Sequence, residues 1–317
     1  MKNLLVTGGC GFIGSNFVND YFYKNTDVTI VNLDAMYYCA SKFNILEEVR
    51  NSKRYHFVKG NLCSFDLLRH ILESYKIDTI IHFAAQSHVQ NSFEDSLQYT
   101  NDNVVGTHTL LETARRYGKI QKFIHISTDE VYGESMLDDT EEKKNESSIL
   151  CPTNPYAATK AAAELIAKSY YFSFKMPIII TRGNNVYGPN QYPEKLVPRF
   201  IQLLKENKPV TIQGDGSNVR AFLHVSDVCS ALEHIIEKGI LGEIYNIGSD
   251  EHHEYTVLEI AKKLIKMIKK TDDYESWISY IEDRPFNDKR YYISNKKVKD
   301  LGWTIDKDFD AGLGELV

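Results

Sequence analysis

Six short runs of branched and aromatic residues recur through the first 180 positions, at Leu4–Thr7, Val28–Leu33, His56–Val58, Thr79–Phe83, Phe123–Ser127 and Ile178–Thr181. Each reads as a strand buried on both faces. Most of the stretches between them, Ile13–Tyr23, Phe65–Tyr75, Asn103–Tyr117 and Tyr156–Phe174, have helical spacing. Such alternation predicts an α/β fold, a doubly wound parallel sheet with helices on both faces. After Arg182 the rhythm loosens around Pro189, Pro193, Pro198 and Pro209, then Gly214 and Gly216, before helical patterns return at Asp227–Glu237 and Val257–Lys269. The expected organisation is a first domain over 1–181, rejoined by about 221–248, and a smaller C-terminal substrate domain over 182–317. The stretch Asp138–Ser148 has no apolar periodicity and reads as a solvated loop.

Charge and composition narrow the function. Lys and Arg total 37 against 43 Asp and Glu, a formal net charge of -6, with no basic block. That excludes the electrostatic footprint of a nucleic-acid or anionic-lipid binder. No apolar stretch reaches the roughly 18–20 residues of a membrane span. The N-terminus passes from Met1-Lys2-Asn3 into Leu4 without a signal-peptide pattern, so a cytoplasmic location is expected. Cys10, Cys39, Cys63, Cys151 and Cys229 are odd in number and widely spaced, as reduced thiols would be. His252-His253-Glu254 lacks further ligands at useful spacing, and no metal site is expected. His82 and His125 alternate with apolar residues in strands and read as packed side chains.

Glycines at 8, 11 and 14 stand between the first strand and the first helix. Such a turn lets backbone approach a pyrophosphate and aims helix N-terminal N–H groups at it. A lone glycine triplet is weak evidence, but Asp34 follows Gly14 by 20 residues, at the end of the second strand. There a carboxylate can accept hydrogen bonds from a ribose, and it would repel a 2'-phosphate, favouring NAD over NADP.

Two further signatures suit chemistry on a sugar. Tyr156 and Lys160 are four residues apart and share one helix face. An ammonium and a positive nicotinamide ring would both favour the phenolate and make the tyrosine a base. Such a pair is common by chance; its place downstream of a dinucleotide turn gives it weight. Thr128-Asp129-Glu130 lies where a strand ends, the edge at which open α/β sheets bind ligands. One carboxyl can act as base and its neighbour as acid if their surroundings separate the two pKa values, although adjacent acids also begin many ordinary loops.

Together these residues resemble the extended short-chain dehydrogenase/reductase family, and within it the nucleoside-diphosphate-glucose 4,6-dehydratases. The resemblance runs over nearly the whole chain. It rests on Gly8-x-x-Gly11-Phe12-Ile13-Gly14, His82 to Val89, Thr128 to Gly133, Asn154-Pro155-Tyr156-x-x-x-Lys160, Thr181 to Pro189, Pro193 to Leu196, Gly214 to Arg220, Tyr245 to Gly248 and Asp283-Arg284-Pro285. Related epimerases lack the acid at position 129 and related decarboxylases carry Ser-Glu there, so Thr-Asp-Glu argues for dehydration.

The resemblance implies a Rossmann fold and a retained NAD held by Gly8, Gly11, Phe12, Ile13, Gly14, Asp34, Asn61, Leu62, Phe83, Ala84, Ala85, Ser87, Tyr156 and Lys160. It implies a nucleotide sugar held by Ser87, Thr128, Asn185, Lys195, Leu196, Arg220, Asn246, Arg284 and Asn287. Tyr156 is implied to take the C4 hydroxyl proton while hydride leaves C4 for NAD, with Lys160 positioning the ribose and Thr128 hydrogen-bonding nearby. Glu130 is implied to remove the C5 proton and Asp129 to protonate the departing C6 hydroxyl, after which hydride returns to C6. A homodimer is a further implication, with apolar residues of Asn103–Tyr117 and Tyr156–Phe174 at its interface, though core packing explains the same pattern.

Many thymidine-type relatives carry Glu in place of Gln86 and Asp in place of Asn61, a position expected near the adenine. Gln86, Arg182 to Gln191 and Arg284 to Asp288 look closest to the UDP-glucose dehydratase portion of plant-type rhamnose synthases. UDP-glucose is therefore the expected substrate. Still open are dTDP-glucose, a 4-epimerase and a non-catalytic NAD sensor. The sequence ends soon after Trp303, so if rhamnose is the end product a separate epimerase/reductase would complete it.

Overall fold

A computed structural model describes residues 1–135, 143–250, 253–283 and 288–317; Arg284, Asn287, His252 and the first half of Asp138–Ser148 lie outside the described residues. The strands, in chain order, are β1 (Asn3–Thr7), β2 (Thr29–Asp34), β3 (Tyr55–Lys59), β4 (Thr79–His82), β5 (Lys122–Thr128), β6 (Ile178–Gly183), β7 (Asn185–Tyr187), β8 (Val210–Gln213), β9 (Val219–His224), β10 (Ile244–Ile247), β11 (Glu254–Thr256) and β12 (Ile278–Ile281). The longer helices are α1 (Phe12–Lys24), α2 (Phe65–Ser74), α3 (Gly106–Tyr117), α4 (Pro155–Phe174), α5 (Leu196–Lys205), α6 (Val225–Lys238) and α7 (Val257–Lys269).

Seven strands form one sheet in the order β3-β2-β1-β4-β5-β6-β10, every neighbouring pair parallel. Alternation along β1 explains the layers: Leu4 and Val6 join a core with α1 and α6, whereas Leu5 faces a second core with α2 and α3. Both sheet faces are thus covered, as the unalternating runs predicted. The strand order reverses between β1 and β4, and a ligand crevice opens beyond the strand ends at such a point. His82 is buried between the hydroxyls of Thr7 (2.7 Å) and Thr107 (2.8 Å), and His125 is buried beside it.

The expected helix at Asn103 begins later, at Gly106, because Thr100–Val105 forms a wider π-helical turn. There Asn103 turns its amide back to the chain and bonds both Gln86 N–H (2.7 Å) and Gln86 C=O (3.0 Å). The described part of the loop ending at Ser148 is pinned: Glu146 accepts from Asn246 N–H at 3.0 Å, and Lys144 pairs with Ile293.

The remaining strands make two small sheets, β7-β9-β11 and β8-β12. These and helices α5 and α7 enclose a separate core that includes Tyr187, Phe200, Ile212, Phe222 and Leu264. The last residues bridge the two bodies. Val298 and Trp303 pack in the core of the large sheet, where the Trp303 indole donates to Asp227 C=O at 3.0 Å, while Phe309 and Leu313 pack in the smaller core. Trp277 lies partly buried on the smaller core with Lys269 Nζ 4.3 Å over its ring. Among the described residues no helix is long and apolar enough to cross a membrane.

Candidate active site

Two clefts of about 250 Å³ each meet beyond the carboxyl ends of the strands. At the first, β1 and β4 send their loops past each other in close contact. Gly8 has φ +71°, and a Cβ on it would lie 2.7 Å from the backbone of Ala84; one on Gly14 would lie 2.4 Å from Gly8 C=O. Only glycine fits either place. Asp34, at the end of β2, accepts N–H bonds from Cys10 (2.9 Å) and Met36 (2.8 Å). Burial raises its pKa, and those two donors oppose the rise. All fourteen positions assigned to the dinucleotide line this cleft, from Gly8 to Lys160. Asn61 is among them, its amide donating to Tyr37 Oη at 2.9 Å.

The second cleft is lined by Glu130, Asn185, Lys195, Leu196 and Arg220, with Asn154, Asp288 and Tyr291. Arg220 lies over the Tyr291 ring at 5.2 Å and donates to Val219 C=O at 2.8 Å. Glu194 and Lys195 line both clefts. Lys195 donates to Ser87 C=O at 2.8 Å, and both Glu194 oxygens accept from Tyr38 Oη, at 2.9 and 2.8 Å.

Where the clefts meet, α4 presents Tyr156 and Lys160. Asn154 caps this helix by accepting from Ala157 N–H at 2.9 Å, and Pro155 follows at the first helical position. The same amide's Nδ2 donates to Glu130 Oε2 at 3.0 Å. Asn184 serves Asp129 alike, donating to its Oδ2 at 2.6 Å. Thr128 donates to Asp129 Oδ1 at 3.2 Å and accepts from Glu130 N–H at 3.3 Å.

Electrostatics separates these groups. Burial first, then the Glu130 charge, pushes Asp129 up to about 7. Burial also raises Glu130, against the pull of Asn154, Lys195 and Arg220. Burial lowers Lys160 to about 8, and its ammonium is held by Ile126 C=O at 2.6 Å. Tyr156 lies above the ordinary phenol value, because burial and the Glu130 and Asp129 charges outweigh the lowering effect of the nearby Thr128 hydroxyl. In the protein alone these effects favour the phenol; the expected phenolate relies on the nicotinamide ring as well as on Lys160.

Thr128 and Asp129 are buried and line neither cleft, and nor does Asn246. It is fully buried on β10, where its Oδ1 accepts from Tyr132 Oη at 2.8 Å and its Nδ2 donates to Lys144 C=O at 3.3 Å. Tyr132 Oη in turn accepts from Arg182 at 2.7 Å, and Arg182 pairs with buried Glu164 at 2.7 Å. The expectation for Asn246 is corrected: it completes an interior network. Asn154, Asn184 and Glu194 stand within the matched motifs, but their tasks are visible only from their partners in space, and Tyr291 lies outside those motifs. Among the described residues no group of three His, Cys, Asp or Glu side chains could hold a metal.

The profile of the GDP-mannose 4,6-dehydratase family matches residues 5–316. A trifunctional UDP-glucose 4,6-dehydratase/UDP-4-keto-6-deoxy-D-glucose 3,5-epimerase/UDP-4-keto-L-rhamnose-reductase of Arabidopsis thaliana is 47% identical over 312 residues, covering 98% of this chain. The chain spans 46% of the length of that relative. A dTDP-D-glucose 4,6-dehydratase of Homo sapiens is 45% identical over 319 residues, covering 100% of this chain and 89% of its own. Among solved structures, the dTDP-glucose 4,6-dehydratase of Bacillus anthracis in complex with NAD superimposes with a TM-score of 0.90 at 38% identity, covering 100% of this chain and 95% of that one. With the profile matched almost end to end, the chain belongs to the GDP-mannose 4,6-dehydratase family, as a relative of the nucleotide-sugar 4,6-dehydratases.

Proposed function

We propose that this chain is an NAD-dependent 4,6-dehydratase that converts UDP-glucose to UDP-4-keto-6-deoxyglucose. The observation that carries this reading is the pair Asp129 and Glu130, each carboxyl held by its own amide, Glu130 in the wall of the second cleft and Asp129 buried next to it, with both charges acting on Tyr156. A 4-epimerase needs the tyrosine but not a second acid-base pair.

The first cleft fits NAD: its glycines leave room for a pyrophosphate against backbone, and Asp34 suits a ribose and opposes a 2'-phosphate. Bound NAD supplies a hydride acceptor at C4, a hydride donor at C6 and a positive ring that favours the Tyr156 phenolate. Tyr156 takes the C4 hydroxyl proton, assisted by Thr128. The 4-keto group acidifies C5, Glu130 takes that proton, and Asp129, protonated near neutrality, hands its own to the C6 hydroxyl so that water leaves. Asn185, Lys195, Leu196 and Arg220 hold the nucleotide diphosphate, with Arg284 and Asn287 assigned to the same task by resemblance.

Residues 1–181 with about 221–248 serve the dinucleotide and the rest the nucleotide sugar. Leu165 and Phe172 are exposed two turns apart on α4, which supports pairing of two copies through that face. The five free cysteines suit the cytoplasm. Gln86 and its companion motifs support uridine; the human relative named for dTDP-D-glucose supports thymidine as the second reading.

Mass spectrometry of each nucleotide sugar incubated with the protein tests the proposal. Loss of one water, faster from UDP-glucose by kcat/KM, is expected. Faster loss from dTDP-glucose would overturn the choice of base, and no loss from either, even with NAD added, would overturn dehydration.

A further inference from the structure

The first cleft contains an acid that the reaction does not use. Asp102 stands on the wide turn Thr100–Val105 and lines the cleft together with Asn61, Leu62 and Gln86. A π-helical turn aims its side chains differently from the α-helix that follows, and such turns recur at functional sites. Here its neighbours divide the holding of Gln86. Buried Asn103 bonds the Gln86 backbone, whereas half-buried Asp102 meets the side chain, whose amide donates to Asp102 Oδ2 at 2.9 Å. Gln98 donates to the same oxygen, also at 2.9 Å. Two amides thus fix one carboxyl oxygen. The bonds to the other, Oδ1, are long, with Tyr37 Oη and the Asn101 amide each at 3.4 Å.

The surroundings of Oδ1 indicate the group it would take. Asp34, at the end of β2, suits the adenosine ribose, and beyond it the cleft continues along Gly60, Asn61 and Leu62 at the end of the neighbouring β3. This is the room left for the base. The segment is docked on the wide turn: the Cys63 thiol donates to Asn101 C=O at 3.7 Å, and a Cβ on Gly106 would lie 3.2 Å from Leu62 Cβ. Adenine needs an acceptor for its exocyclic amine. Asn61 already turns its amide nitrogen to Tyr37 Oη at 2.9 Å, while its oxygen accepts from Cys63 N–H at 2.8 Å. A carboxylate only accepts and has sites for about four bonds, so Asp102 can add an amine at Oδ1.

We propose that Asp102 accepts the exocyclic amine of the adenine of NAD and makes the cleft select adenine over a 6-oxopurine. Gln86 and Gln98 hold the carboxyl in place, and the long bonds at Oδ1 are the ones a ligand amine would share or displace. A 6-oxopurine would set a carbonyl oxygen against the same carboxylate, where neither partner has a proton to give. This rests on the reading of the first cleft as the NAD site.

The test equilibrates purified protein with radiolabelled NAD and measures displacement of the label by unlabelled NAD or by its hypoxanthine analogue. The wild type is expected to prefer NAD by about 30-fold, the effect of one hydrogen bond to a charged group. Asp102→Asn keeps the shape but gains an amide that can turn to donate to the 6-oxo group, so its preference should fall to about threefold or less. Gln86→Ala removes a support but leaves the acceptor; both dinucleotides should weaken together and the preference should persist. A wild-type preference of about threefold or less, or an Asp102→Asn protein with the wild-type preference, would overturn the proposal. Equal loss of preference in Gln86→Ala would also overturn direct contact and leave Asp102 as a positioning residue for Gln86. Wild-type protein that yields no dinucleotide on extraction and takes up no label would instead overturn the NAD reading of the cleft.

Discussion

Asp129 and Glu130 are neighbours in the chain, yet their surroundings give them different protonation. Asp129 is the more buried of the two and is raised to about 7, whereas Glu130 lines the second cleft within range of the Lys195 and Arg220 charges. If Asp129 must be protonated and Glu130 ionised, kcat/KM falls as pH rises through about 7 and falls again as pH drops into the raised range of Glu130. In Asp129→Asn the alkaline limb should disappear along with most of the activity, which a pH-rate profile of residual turnover reads directly. Stability carries the opposite signature. The folded value of Asp129 lies above its ordinary 3.8, so folding is favoured most below that value and loses this contribution as pH rises towards 7. Asp129→Asn is therefore expected to be more stable than the wild type at pH 8, by about 2–4 kcal/mol from the size of the shift, with no such gain at pH 4. Urea unfolding at the two pH values checks it.

Helix α4 shows how one element ties the tyrosine to the base. Asn154 ends the approach to the helix, caps it at Ala157 and holds Glu130 with the other end of the same amide. Asn154→Ala should lose about 1 kcal/mol of stability from the cap alone, together with a drop in kcat. Asn154→Ser should recover the stability but not the kcat, because a serine can cap the helix yet is too short to reach Glu130; denaturation and steady-state rates separate the two effects. The helix, Tyr156 and Lys160 were all legible from spacing. The double use of Asn154 was not, because it depends on where the turn after β5 comes to lie against α4, a contact between residues 24 apart in sequence. Asn246 failed for a related reason: membership in a motif does not say which way a strand residue points, and this one points to Tyr132. The wide turn at Thr100–Val105 also escaped notice, since its apolar spacing runs on smoothly into α3 while Asn103 bonds sideways to Gln86.

At the scale of the whole molecule, six of the seven strands of the large sheet were legible, mostly because strands buried on both faces leave unbroken apolar runs; β10, a four-residue strand far along the chain, was not named, and the smaller sheets have strands of three to six residues with mixed burial that leave no such trace. The two bodies meet across the first cleft through the segment that carries Tyr192, Glu194 and Lys195. Tyr38 grips Glu194 by both oxygens and packs edge-on to Tyr192 at 5.3 Å, and Lys195 reaches Ser87. Tyr38→Phe should loosen this closure and release bound NAD about tenfold faster, the effect of losing roughly 1.4 kcal/mol; the NAD extracted from purified protein measures it, with folding judged separately by circular dichroism. The terminal segment that crosses between the bodies has an optical consequence. Of the two tryptophans in the chain, Trp303 is 1% exposed in the core of the large sheet, while Trp277 is partly exposed on the smaller core beneath an ammonium. Each body thus carries its own fluorophore. Blue-shifted, quencher-resistant emission from the first and quenchable emission from the second make the unmodified protein a two-channel reporter of whether its halves melt together or apart.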